Sequence, residues 1–271
     1  MYQQIIHALA RLANKEKAKQ LQRFFKTNKG EYGEGDICIG VVVPDQRKVA
    51  CEFKDAGFLV IKKLLASKVH EHRLTGAIIL VNQFKEADKE YKRYSQPRHS
   101  ELVSRSYIPR QTYKILKRVQ DDGGGAHSKS HNMRGKIFDF YLKNTRRINN
   151  WDLVDLSAPY LGAHLLDCDR SIIYQLAKSK NIWERRIAIM FTYAFIRENQ
   201  LEDTFRVAEL LLRDEHDLIH TAVGWMLREA GKRDQRAEEL FLEKHYKHMP
   251  RTMLRYAIEK FSESKRKQYM A

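Results

Sequence analysis

Apolar residues recur at intervals of three and four along nearly the whole chain, the spacing of one buried face on an α-helix. The pattern predicts helices over approximately 3–26, 46–66, 71–92, 136–147, 151–166, 170–179, 182–198, 202–214, 216–231, 236–248 and 250–262, on short connectors. The exception is Ile37-Cys38-Ile39-Gly40-Val41-Val42-Val43-Pro44, whose β-branched residues favour an extended backbone. No second stretch offers to pair with it, so a lone extended connection is expected rather than a sheet strand. Many helices on short connectors suggest a bundle or an α-solenoid of stacked pairs. No exact repeat length is visible, so the all-α fold expected here is a curved solenoid of degenerate, HEAT-like helix pairs, with 1–271 as a single domain.

The helical pattern lapses over 92–136, which holds two prolines, Gly123-Gly124-Gly125, scattered serines and one short amphipathic piece near 110–120. A loop of that length inside a compact domain is a functional lid or a disordered insertion. It carries 11 Lys+Arg against three acids, a charge of +8. The stretches Arg98–Ser106 and Lys114–Gly123 resemble translated copies of bacterial intergenic palindromic repeats. Two readings stand side by side: a dispensable insertion whose basicity reflects its DNA origin, and an arm that grips a polyanion.

Charge changes the picture next. The 271 residues hold 50 Lys+Arg against 34 Asp+Glu, a net +16, with pI about 9.7. Such an excess points to a polyanionic partner: nucleic acid, an acidic protein or an anionic membrane surface. With 43% hydrophobic residues the chain can build a core, while a mean hydropathy of −0.60 and the lack of a long apolar run exclude a membrane span. The N-terminus lacks the zones of a signal peptide, so a cytoplasmic protein is expected. Cys38, Cys51 and Cys168 form no CxxC pair, which argues against a disulfide framework or a zinc ribbon.

Three clusters could carry chemistry. In Asn149-Asn150-Trp151-Asp152-Leu153-Val154-Asp155, Trp151 and Asp155 are i and i+4, so an indole and a carboxylate share one helix face. Pro159 would leave the Asp155 carbonyl without a helical partner, so a kink or break is expected there. The plain alternative is an Asn cap, a buried Trp and acids in a first turn. On 217–230, Ile219, Val223, Met226, Leu227 and Ala230 form the core stripe and Thr221, Trp225 and Arg228 fall on the opposite arc, where a Trp needs a neighbouring helix or a ligand to cover it. On 183–194, Trp183, Ile187, Met190 and Ala194 face the core with Arg186 at the edge, suited either to a phosphate or carboxylate contact or to a structural salt bridge, while Arg185 points elsewhere. His216 and His220, i and i+4, lack a third ligand and read as a solvated face. Lys29-Gly30-Glu31-Tyr32-Gly33-Glu34-Gly35-Asp36 follows a helix and holds no Walker lysine, so it reads as a loop.

Together with Phe25-Lys26-Thr27 through Gly33-Glu34-Gly35-Asp36, Gly40–Ala50, His70–Leu74, Ala222–Glu229 and Pro250–Glu259, these clusters resemble the DNA alkylation repair family of AlkD-type DNA glycosylases over about 20–268, apart from 92–136. The resemblance implies a basic concave surface for double-stranded DNA and hydrolysis of the N-glycosidic bond of alkylated, cationic purines such as 3-methyladenine and 7-methylguanine, without base flipping. It implies Asp155 as catalytic carboxylate, Trp151 and Trp225 as the indoles beside the lesion, Arg186 as the active-site arginine, and Arg228, Arg47, Lys48 and Arg185 as DNA-binding residues. It implies no metal, no cofactor, no obligate protein partner, a monomer, and the bacterial cytoplasm or nucleoid. Val42 and Val43 depart from members that carry polar side chains there, so any phosphate contact at that point must come from backbone N–H groups. A non-catalytic HEAT-like module that binds branched or damaged DNA is the alternative.

Overall fold

The computed structural model describes residues 1–95 and 125–271, and side chains over 1–93 and 132–271. The helices are α1 (Tyr2–Arg11), α2 (Lys15–Phe24), α3 (Val43–Glu52), α4 (Phe58–Leu65), α5 (His70–Ser95), α6 (Gly125–Leu142), α7 (Trp151–Leu161), α8 (Ser171–Ala177), α9 (Ile182–Arg197), α10 (Glu202–Leu211), α11 (Asp217–Gly231), α12 (Gln235–His245), α13 (Arg251–Ala257) and α14 (Glu263–Met270). Short polar residues start many of them: the side chains of Asn14, Asn150, Asn181, Asp234 and Ser262 each accept a backbone N–H of the first turn.

The helices form two layers of an α-solenoid. One layer is a continuous row in which α3, α5, α7, α9, α11 and α13 each pack on the next. Against it lie α4 and α6 on α5, α8 and α10 on α9, and α12 on α11. The centre of the row is α9, where Ile187, Ala188, Ile189, Met190, Phe191 and Phe195 are all fully buried. A helix apolar all round is one with neighbours on every side. No helix among the described residues is long and apolar enough to cross a membrane.

Residues 37–42 are extended and unpaired except for one parallel bridge, Ile37 to Val69. A lone extended segment needs other partners for its amides, and the buried Glu71 carboxylate provides them, accepting from Ile39 N at 3.0 Å and Gly40 N at 2.7 Å. Gly40 has φ +83°, and a Cβ there would land on the Asn14 carbonyl, so only glycine lets α2 seat on this connection.

Several boundaries differ from the periodicity. The stretch 3–26 is two helices, because Asn14 caps a new one after Leu12-Ala13, and 46–66 is also two, with Gly57 ahead of α4. Pro159 does not break α7, which runs to Leu161 before tightening into a 3-10 turn over Gly162–Leu166. Helix occupies both ends of 92–136: α5 reaches Ser95 and α6 starts at Gly125. The amphipathic piece near 110–120 and the two palindrome-like stretches lie outside the described residues.

Candidate active site

The early turns of α7, α9 and α11 meet at the site. Asn150 caps α7, and Asp155, one turn beyond Trp151, faces the N-terminal end of α9. There Arg186 meets Asp155 as a fork: Nε donates to Oδ1 at 2.8 Å and Nη2 to Oδ2 at 2.7 Å. Its Nη1 donates to the Leu218 carbonyl on α11 and lies 3.4 Å from Thr221 Oγ1. One guanidinium therefore ties three consecutive helices of the row together. Arg186 is fully buried, not at a core edge, since only 4% of it is exposed. Burial raises the Asp155 carboxyl above its ordinary range, with Arg186 opposing and Asp152 adding to the rise. The salt-bridge and the functional readings of Arg186 thus coincide, because its partner is the candidate carboxylate.

The two indoles lie on the helices that carry this pair's contacts, α7 and α11. Trp151 is half-buried, edge-on to Phe24 with centroids 5.5 Å apart and tilted against Phe25 at 5.8 Å. Trp225 is half-buried on α11 one turn, about 6 Å of rise, beyond Thr221. Its indole N–H donates to Glu229 Oε1 at 3.1 Å. The arcs read from the sequence hold: Ile219, Val223, Met226, Leu227 and Ala230 are fully buried, and Thr221, Trp225 and Arg228 lie opposite.

The four basic residues expected to grip DNA divide. Arg47 and Lys48 are exposed on α3, Lys48 beside Asp45 at 2.9 Å. Arg228 is held by Glu259 and, at 3.3 Å, by Glu229. Arg185 bonds Asp214 through Nε and Nη2 at 2.5 and 3.4 Å, and its Nη1 donates to the Ser179 and Lys180 carbonyls. It braces the start of α9 against the loop before α11. At the N-terminus of α3, Val42 is the cap without a side-chain bond and Pro44 has no N–H, so few donors remain there. Among the described residues no cluster of His, Cys, Asp or Glu could hold a metal. His216 instead caps α11, and His220 Nε2 meets the Asp214 carbonyl at 2.5 Å.

Sequence reasoning missed a second shell of charge beneath Trp151. His70 starts α5, is 1% exposed, and places Nε2 2.7 Å from Asp152 Oδ2 and Nδ1 3.6 Å from Asp36 Oδ2. Arg73 pairs with the same Asp36 oxygen. Burial pulls the imidazole down, but the two carboxylates outweigh it and hold the pKa at about 9. Phe25 stacks on this imidazolium at 4.2 Å, so the cation also supports the aromatic floor under Trp151. The segments that hold Asp36, His70 and Arg73 are among those that carry the family resemblance, but nothing in the sequence pairs them with Asp152, 82 residues from His70.

Residues 5–99 and 114–261 match the family model described as DNA alkylation repair enzyme. The chain belongs to the DNA alkylation repair enzyme family. The family match reaches deeper into 92–136 than expected, leaving only 100–113 unmatched, so most of that segment is family sequence. A predicted DNA alkylation repair enzyme from Enterococcus faecalis has a similar structure, with TM-score 0.60 at 11% identity, over 93% of this chain and 97% of that one. At that identity the likeness speaks for the fold. No curated protein matches this member of the DNA alkylation repair enzyme family.

Proposed function

We propose that the protein is a monofunctional DNA glycosylase that hydrolyses the N-glycosidic bond of alkylated, cationic purines such as 3-methyladenine and 7-methylguanine in duplex DNA, without flipping the base, and leaves an abasic site. The observation that carries this reading is the buried Asp155 carboxylate, clamped by Arg186 one turn from Trp151. Alkylation at N3 or N7 makes the base a cationic leaving group that departs without a general acid. Positive charge then develops on the sugar, and a fixed carboxylate stabilises it and orients the attacking water. Each Asp155 oxygen accepts one bond from Arg186 and keeps a second lone pair for that water. The chemistry needs neither metal nor cofactor, since the lesion itself supplies the activation.

In this reading Arg186 is the residue that aims Asp155, rather than a phosphate ligand. The faces of Trp151 and Trp225 offer electron-rich surfaces to the cationic sugar. Exposed Arg47 and Lys48 take backbone phosphates, and Arg228 does so by exchanging Glu259 for a phosphate. The protein works as a monomer on chromosomal DNA in the bacterial cytoplasm.

The test is incubation of methylated duplex DNA with the protein, followed by chromatography of released bases. Release of 3-methyladenine or 7-methylguanine is expected. A protein that binds the duplex and releases neither would be the non-catalytic, damage-binding module.

A further inference from the structure

The glycine-rich loop between α2 and the extended connection has no part in the reaction as described, yet it is a built structure. Asn28 N is held by Glu31 Oε2 at 2.9 Å and Gly30 N by Glu34 Oε2 at 2.8 Å. Gly33 N donates to Lys26 O at 3.0 Å, and a Cβ on Gly33 would meet the Phe25 carbonyl, so the loop lies flush on the end of α2. Its far end is Asp36, fixed by Arg73 and His70. Two acidic side chains spent on loop amides and a buried ionic anchor are the supports of a loop that must hold one side chain in place.

That side chain is Tyr32. It is half-buried, and its ring stands edge-on to Trp183 of α9 at 5.9 Å, with Lys26 Nζ 5.8 Å from the ring centroid. Trp151 on α7 and the charges of Asp152, Glu31 and Arg186 act on its phenol. Tyr32 thus bridges the starts of the two helices that bring Asp155 and Arg186 together. Burial raises the phenol above its ordinary pKa, so at neutral pH it is a neutral O–H donor. The donor is poorly used: its one acceptor, the Phe24 carbonyl, is 3.5 Å away, the outer limit of a hydrogen bond. A half-buried hydroxyl with an underused proton, on a loop braced against the helix that carries Arg186, is placed to serve a ligand.

We propose that Tyr32 is a substrate-contacting residue whose hydroxyl donates a hydrogen bond to a phosphodiester oxygen of the DNA strand that carries the lesion. The proposal rests on the glycosylase reading for its substrate. An anionic acceptor suits the site: the neutral phenol binds it without adding charge next to Arg186, and the long bond to the Phe24 carbonyl is readily exchanged for a phosphate oxygen.

Tyr32→Phe in the full chain keeps the ring contacts and removes only the hydroxyl. Affinity is measured for a duplex containing a tetrahydrofuran abasic-site analogue, and for the same duplex with methylphosphonates replacing, one at a time, the phosphates flanking the analogue. Single-turnover release of 7-methylguanine and the thermal midpoint are measured alongside. The expected result is an unchanged midpoint, a loss of about 10-fold in affinity or release rate, and one phosphate at which the methylphosphonate weakens the parent but not the variant. The proposal is overturned if Tyr32→Phe equals the parent in affinity and release, or if every methylphosphonate weakens both proteins equally. A parent that binds the duplex but releases no base overturns the glycosylase reading, and the methylphosphonate comparison then still decides Tyr32. A parent that binds no duplex overturns both.

Discussion

At the scale of single residues, the site is organised by opposite charges brought together from distant parts of the chain. Asp155 and Arg186 are legible as candidates because each sits in a recognisable cluster, but their pairing across 31 residues is a product of the fold. The His70, Asp36, Arg73 and Asp152 cluster was not legible: each residue alone reads as a surface charge, and only burial turns them into a network. The network has a pH signature. His70 in the unfolded chain titrates near 6.5 and in the folded protein near about 9, so its stabilising contribution is complete below pH 6.5 and is lost as pH rises through 9. Denaturant titrations should show stability falling by up to about 3 kcal/mol between pH 6.5 and pH 10, and His70→Gln should flatten that fall. A slope unchanged in the variant would assign the loss to other groups. The raised carboxyl of Asp155 sets a second expectation, since it must be ionised to act: the acid limb of the release rate should have its midpoint above the ordinary carboxylate range near 3.9.

At the scale of elements, the helices were legible from their apolar period and their ends less so. The missed breaks at Asn14 and Gly57 lie within continuous apolar patterns, where cap residues rather than periodicity decide the boundary. The extended connection was read correctly as unpaired, but its solution, a buried carboxylate feeding its amides, required knowing where Glu71 lies. Gly40→Ala tests that arrangement. The added Cβ meets the Asn14 carbonyl and sits at positive φ, so a loss of at least about 2 kcal/mol is expected by denaturant unfolding. A change within a few tenths of a kcal/mol would mean that α2 is not seated as described.

For the whole molecule, the solenoid row explains why residues from α5, α7, α9 and α11 meet: His70 starts α5, Asp152 and Asp155 lie early in α7, Arg186 early in α9 and Leu218 early in α11. The overall charge also needs reassignment. Residues 96–124 hold six Lys+Arg and three acids, only +3 of the +16, and the rest belongs to the described body. Lys92 and Arg93 lie on α5, while Lys129, Arg134 and Lys136 lie on α6. Arg134 in particular is structural, being 1% exposed, paired with Asp88 at 3.1 Å and bonded to the Ala163 carbonyl at 2.9 Å. A deletion meant to remove the segment should therefore spare it. Replacing 97–123 by a short Gly/Ser linker should leave folding and most of the salt dependence of DNA binding in place, whereas Arg134→Ala should cost about 2–3 kcal/mol by emptying a buried site and leaving Asp88 with Lys92 alone. Thermal unfolding and binding at two salt concentrations distinguish the two variants. Equal destabilisation would place essential structure within 97–123.

The central claim is that Asp155 does chemistry on DNA, and it is tested most directly by single-turnover release of 7-methylguanine from methylated duplex by the parent and by Asp155→Asn, with duplex affinity measured on both. The account predicts release by the parent, a loss of at least about 100-fold in the variant, and affinity within a few-fold of the parent. Release by Asp155→Asn at the parent rate would contradict it.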